Sequence, residues 1–279
     1  MDPEEVARNI DDKTCAVFTE IITNPQMEVA DLQELAELAH NKKTALVVDS
    51  TLVPWPAFEA QKWGVDLEVV SSTKYISGGA TSIGGLILDY QQFDWSHSPR
   101  LGKLAQTVGP KAFTLKLRNE ISRNLGAYMS PHTAYLQNLG LETMDLRFKK
   151  ASKTCKHLAE FLQTLPPVQT VNYTGLPGNP FYSVSCKQFG AYPGAMLTFT
   201  LEDQAHCFDF INRLHIIRRA TNLFDNKSLI IHPLSTIYGP LSDEYKQMVE
   251  VPANLLRLSV GLEDPNDLKN DILQALLLA

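Results

Sequence analysis

Cysteine is sparse and scattered: Cys15, Cys155, Cys186 and Cys207 form no C-x-x-C pair and share no ligand-like spacing with a histidine. That usage excludes a disulfide framework and a structural zinc site, and it predicts a reducing, cytoplasmic setting. No apolar run approaches the roughly eighteen residues that a membrane span needs, and the acidic, polar start MDPEEVARN predicts neither export nor insertion. Basic runs are also lacking. A chain of net charge −6 without a cationic stretch is poorly suited to nucleic acid or an anionic membrane surface. H-E-x-x-H, G-x-S-x-G and P-loop patterns do not occur, which removes the commonest hydrolase and nucleotide chemistries. His40, His97, His132, His157, His206, His215 and His232 share no ligand spacing, so surface or satisfied core roles are expected for them and no metal site. No internal repeat or low-complexity segment is visible.

What is present is a globular composition: 279 residues, 44% hydrophobic and 20% charged, enough for one large or two modest domains. Asp2-Pro3-Glu4-Glu5 predicts a capped helix start. TCAVFTEI predicts a strand that Asn24-Pro25 breaks, and Asp31 caps a helix with Leu32, Leu35, Ala36 and Ala39 on one face. A strand over 44–49, a short helix near 56–63, a strand over 66–71 and the strand GGLILDY follow. This alternation predicts a mostly parallel sheet faced by helices. From Lys111 the pattern turns helical, first KAFTLKLRNEISRNLGAYM, then the longer TAYLQNLGLETMDLRFKKASKTCKHLAEFLQTL, which prolines at 166, 167, 177 and 180 close. GAMLTFTLE, LHIIRRA, SLIIHP and LLRLSV predict strands, with helices near 203–212 and 264–278. The expected organisation is therefore the C-terminal part of a large domain over 1–125 and a small C-terminal α/β domain over 126–279.

The chain is organised around Ala45 to Asp89. There an apolar run ends on Asp49, and a second, LEVVSS, ends just before Lys74. Ligands of open α/β sheets bind at the C-terminal ends of parallel strands, so carboxylate and amine are expected to face one crevice. That pair suits pyridoxal phosphate (PLP). An amine holds the aldehyde covalently, and an aspartate keeps the pyridine nitrogen protonated so that the ring draws electrons. Ser71 and Thr73, three and one residues before the lysine, offer hydroxyls to the phosphate.

The same stretch, VDST, SSTKY, SGGATS and IGG, resembles the Cys/Met-metabolism family of PLP enzymes (cystathionine gamma-synthase-like), with its V-D-N-T, S-A-T-K-Y, Gly-rich turn and I-G-G. LRLSVGLEDPNDLKNDILQAL resembles the family's closing R-L-S-V-G-x-E-D-x-x-D-L run. The resemblance implies PLP-dependent transferase fold type I (aspartate aminotransferase-like), an α/β architecture with an incomplete large domain and a smaller C-terminal domain. It implies Lys74 as the catalytic, cofactor-bearing lysine, Asp49, Ser71, Thr73, Thr51 and Asn24 around the cofactor, and Arg257 on the substrate's α-carboxylate. A guanidinium fork suits a carboxylate because two parallel N–H bonds fix its orientation as well as its charge.

GPKAFTLKLRNEISRNLGAYMSPHTAYLQNLGLETMDLR, NYTGLPGNPFYSVSCKQF and NLFDNKSLIIHPLSTIY resemble the O-acetylhomoserine sulfhydrylase branch. Lyase-like branches carry S-L-G-G-x-E-S-L where this chain has NLFDNKSL, so Asn222 stands where a substrate-binding serine is expected. Asn24 is expected near the substrate carboxylate as well. The implied reaction joins O-acetyl-L-homoserine to sulfide or methanethiol in methionine biosynthesis. The rivals are a γ-lyase, or a non-catalytic fragment or partner subunit. Relatives work as dimers of dimers, so a homo-oligomer is implied, and no nucleic acid or membrane partner. The resemblance starts well into the family's large domain; the S-G-M phosphate loop, the ring-stacking tyrosine and the Tyr and Arg that reach a neighbouring subunit have no counterpart here. An incomplete site is therefore expected.

Overall fold

The computed structural model describes residues 3–277. Its first sheet holds β1 (Ala16–Glu20), β2 (Ala45–Asp49), β3 (Leu67–Val70) and β4 (Leu86–Asp89), side by side in chain order. The first three run parallel, and β4, the GGLILDY strand, turns back antiparallel on β3. Helix α1 (Pro3–Asn9) begins the described chain, the expected Asp2 cap lying outside the described residues. Helix α2 (Leu32–Asn41) starts where Asp31 accepts the Glu34 amide, and it buries Leu32, Leu35, Ala36 and Ala39. The helix expected near 56–63 is only a single turn, Ala60–Trp63. Pro54 and Pro56 disfavour helical backbone in the residues before them, and Gly64, at φ 75°, ends the turn.

Helices α3 (Gly102–Val108), α4 (Ala112–Lys116) and α5 (Arg123–Leu125) follow, the last two joined by a wider turn over Leu117–Ser122. The single helix expected over this stretch thus stops at Gly126, which adopts φ 65°. Helix α6 (Pro131–Leu162) then runs for 32 residues from a Ser130 cap.

The second sheet has five strands, ordered β5-β6-β9-β8-β7. In chain order, β5 (Thr170–Asn172), helix α7 (Tyr182–Phe189), β6 (Met196–Thr200), helix α8 (Gln204–Arg213), β7 (Arg218–Arg219), β8 (Leu229–Ile231), helix α9 (Asp243–Met248), β9 (Leu255–Ser259) and helix α10 (Pro265–Leu277) make up this half. All pairings are antiparallel except β7 with β8. Two expectations need correction. The prolines that close α6 do not end the helical region, because Pro180 lies just ahead of α7, where a missing N–H costs little. LHIIRRA is not a full strand: the His215, Ile216 and Ile217 amides donate to the buried Asp271 carboxylate at 2.8, 2.9 and 2.9 Å, which leaves only Arg218 and Arg219 for the ladder.

One apolar core runs through both sheets. Met144, Phe148, Ala151, Cys155, Leu158, Ala159 and Leu162 of α6 join it to residues from each half. Helix α6 also presses on the loop after β3. A Cβ on Gly140 would stand 2.0 Å from the Ile76 carbonyl oxygen and 3.0 Å from the Gly78 nitrogen. Arg147 Nη2 donates to the Tyr75 and Gly140 carbonyls at 2.8 and 2.7 Å. Among the described residues no helix is long and apolar enough to cross a membrane.

Gly140→Ala forces backbone against backbone, so it is expected to cost about 2–3 kcal/mol, an overpacking penalty. Urea unfolding measures it; a loss below about 0.5 kcal/mol, the range of a neutral surface change, would show that the loop yields.

Candidate active site

The parallel strands end together. Glu20 pairs with Asp49 in register and Asp49 with Val69, so two carboxylates and the chain beyond β3 meet at one sheet edge. A cleft of about 190 Å³ opens there. Its polar side carries Glu20, Asn24, Asp49, Thr51, Ser71 and Lys74, and its apolar side Ile22, Leu52, Met196, Leu223 and Phe224.

Asp49 Oδ1 accepts the Thr51 amide at 2.9 Å, and Thr51 Oγ1 accepts the Ser71 amide at 2.8 Å. Thr51 thereby ties the VDST turn to the SSTKY turn. Thr73 is occupied differently. Its hydroxyl donates to the Gly84 carbonyl at 3.2 Å and accepts the Gly84 amide at 3.0 Å, closing the glycine-rich loop that follows the lysine.

Lys74 is half-buried, and its Nζ donates to Asn222 Oδ1. Burial, then repulsion from Arg257, holds its pKa below the ordinary lysine value, and Asp225 opposes the shift. Arg257 sits on β9, the middle strand of the second sheet, and is 2% exposed. Its Nη2 donates to the Thr221 and Asn222 carbonyls at 2.9 and 3.3 Å, and its Nη1 to Asn24 Oδ1 at 3.2 Å. Burial pushes its pKa down to about 10, against a restoring effect from Tyr238. Its Nε is buried with no acceptor, and among the described residues it makes no ion pair. A buried guanidinium held by neutral oxygens, with a donor to spare, is prepared for an incoming carboxylate.

Two residues at the site escaped the sequence reading. Glu20 Oε2 accepts the Asn24 amide at 3.0 Å, and burial first, with the Asp49 charge also contributing, raises the pKa of its carboxyl. The signal was available, because Glu20 closes β1 as Asp49 closes β2. Tyr238 carries a pKa raised by burial and feels the charges of both Glu20 and Arg257. Its place, sixteen residues past Asn222, gave no local cue.

A family model described as Cys/Met metabolism PLP-dependent enzyme matches residues 1–277. The chain belongs to this family. Among similar Cys/Met-metabolism proteins, O-acetyl-L-homoserine sulfhydrylase 1 of Thermus thermophilus is 36% identical, the match covering 98% of this chain and 68% of that protein. The solved O-acetylhomoserine sulfhydrylase of Wolinella succinogenes is 44% identical with a TM-score of 0.86, over 99% of this chain and 75% of its own. A putative O-acetylhomoserine (thiol)-lyase structure from Campylobacter jejuni is 31% identical, TM-score 0.89, over 99% and 69%, and it carries a pyridoxyl-lysine phosphate. The chain spans about two thirds of the length of the curated relatives it matches.

The residues on the cleft fit the family's cofactor. Lys74 is a partly desolvated amine, Asp49 a carboxylate fixed at a strand end, and Ser71 a hydroxyl on the wall between them.

Competitive acetylation across pH, followed by peptide mapping, tests the electrostatics. Lys74 is expected to gain reactivity at a lower pH than an ordinary lysine, since burial disfavours its ammonium form. Arg257→Met removes a repelling cation and moves that midpoint upward; an unmoved midpoint would mean that the two side chains are not coupled.

Proposed function

We propose that this chain performs PLP-dependent γ-replacement on O-acetyl-L-homoserine, taking hydrosulfide or methanethiol and giving homocysteine or methionine with acetate. The observation that carries the reading is the meeting of Lys74 and Asp49 on one cleft, with the unpaired Arg257 bonded to the cleft residue Asn24, in a chain whose relatives are named sulfhydrylases. PLP, when bound, supplies an electron sink for negative charge at the substrate's Cα and Cβ. Asp49 holds the proton on the pyridine nitrogen, and Ser71 serves the phosphate. Arg257 grips the α-carboxylate with Nε and its Nη atoms, and Asn24, bonded to Arg257 Nη1, sits at the same group. Asn222 keeps Lys74 directed at the cleft. Lys74, whose lowered pKa favours the free amine, takes the proton from Cα. Acetate departs from Cγ and the thiol sulfur bonds there, so the reaction balances as ester plus thiol to thioether or thiol plus acetate.

The same reading places the chain in a homo-oligomer. Leu86, Ile87 and Leu88 of β4 are 39, 53 and 36% exposed, and Phe18 of β1 is 62% exposed, apolar surface of the kind that assembly covers. A monodisperse monomer by light scattering would count against this.

The test of the chemistry begins with the purified chain and PLP. A visible absorption band, fixed on Lys74 by borohydride and absent from Lys74→Ala, is expected, followed by acetate release from O-acetylhomoserine that requires a thiol. Asp49→Ala is expected to keep cofactor binding and to lose at least about a hundredfold in turnover, the scale of a missing electrostatic partner. Keto acid and ammonia formed without thiol would move the assignment to a γ-lyase. Absence of any band would refute the enzyme reading for this chain.

A further inference from the structure

Phe224 lies in the segment NLFDNKSL, at the place where the related S-L-G-G-x-E-S-L pattern has its first glycine. The backbone there still has a glycine's conformation: φ is 58°, in the left-handed region that a phenylalanine rarely adopts. The residue is also 3% exposed, so a large ring has been placed where glycine would be free of strain. Unfavourable backbone held by its surroundings is a mark of functional sites.

The surroundings hold it firmly. The Phe224 amide donates to Ser259 Oγ at 2.7 Å. Its ring stacks on Tyr75 at 4.6 Å and 16°, and Tyr75 meets Phe148 of α6 edge-on at 5.2 Å. Tyr75 is the neighbour of Lys74, so the aromatic pile runs from the long helix, past the lysine's own turn, to the cleft wall. Phe224 borders that cleft beside Leu223, Leu52, Met196 and Ile22.

The position along β9 ties the wall to the strand that carries Arg257. Arg257 and Ser259 are two residues apart on one strand and so share a face, about 7 Å from one another. The Phe224 backbone is thus anchored one side-chain repeat along β9 from the arginine. Lys74 and Phe224 line the same cleft, so a ligand held there has the Phe224 wall beside it.

We propose that Phe224 is a specificity-determining residue that makes the site favour a thiol bearing a short alkyl group over hydrosulfide as the sulfur donor. This rests on the proposed γ-replacement and names the substrate class of that same site. Hydrosulfide brings no apolar surface to the wall, whereas the methyl of methanethiol, and of the methionine it forms, is removed from water against Phe224 and Leu223. One buried methyl group is worth about fivefold.

Two measurements on the PLP-incubated chain decide it: kcat/KM for methanethiol against hydrosulfide, and calorimetric affinity for L-methionine against L-homocysteine. The wild type is expected to favour the methyl-bearing partner about fivefold or more in both. Phe224→Gly, which suits the backbone, is expected to bring both ratios to about one, and Phe224→Leu, which keeps apolar volume should the glycine variant fold poorly, to lie between. A wild type without preference, or a preference unchanged in both variants, would overturn the proposal while leaving γ-replacement standing. Absence of turnover with either donor would overturn the γ-replacement reading, and the methionine to homocysteine ratio would still judge the wall. If neither amino acid binds, the proposal fails with it.

Discussion

The site depends on a close approach between α6 and the loop that carries Lys74. Gly140 has no side chain because the carbonyl of Ile76 occupies the space, and about two turns further along, Arg147 reaches back to the Tyr75 carbonyl. A guanidinium on a carbonyl and backbone packed on backbone leave the lysine loop little freedom to shift. Since α6 is also the element whose apolar face enters the shared core, the lysine is fixed relative to both sheets at once.

The second sheet's contribution is electrostatic. Arg257 reaches Asn24 across 233 residues of sequence and the Thr221 and Asn222 carbonyls across 36 and 35. Asn222 in turn accepts from Lys74. One buried cation thus organises the turn after β1, the segment before Phe224 and, by repulsion, the amine itself. None of its partners is anionic, which leaves its charge available to a ligand. A carboxylate partner from the protein would have stabilised the fold and spoiled the cleft.

Much of this was legible in the letters because it follows from short-range rules. Strand ends bearing Asp49 and a lysine turn, the Asp31 cap and the apolar face of α2 are set by residues within a few positions of one another. What escaped depends on partners distant in sequence. Asp271 takes three amides from 215–217 and cuts β7 short, although the letters LHIIRRA have strand character. Thr73 adjoins the lysine, yet Gly84, eleven residues on, claims its hydroxyl. Glu20 closes its strand as Asp49 does, and it is the register of the two strands that brings the carboxylates to the same end of the sheet. Phe224 looked like an ordinary apolar letter, and its significance lies in a dihedral angle.

The brevity of β7 bears on how the protein avoids its own kind. It is one of the two outer strands of the second sheet, and an outer strand with free amides and carbonyls invites the edge of another chain. Here the three residues that would lengthen it have surrendered their amides to a buried carboxylate, and the two that remain are exposed arginines. An approaching strand would meet a two-residue ladder flanked by like charges. That margin of the sheet is blunted against polymerisation.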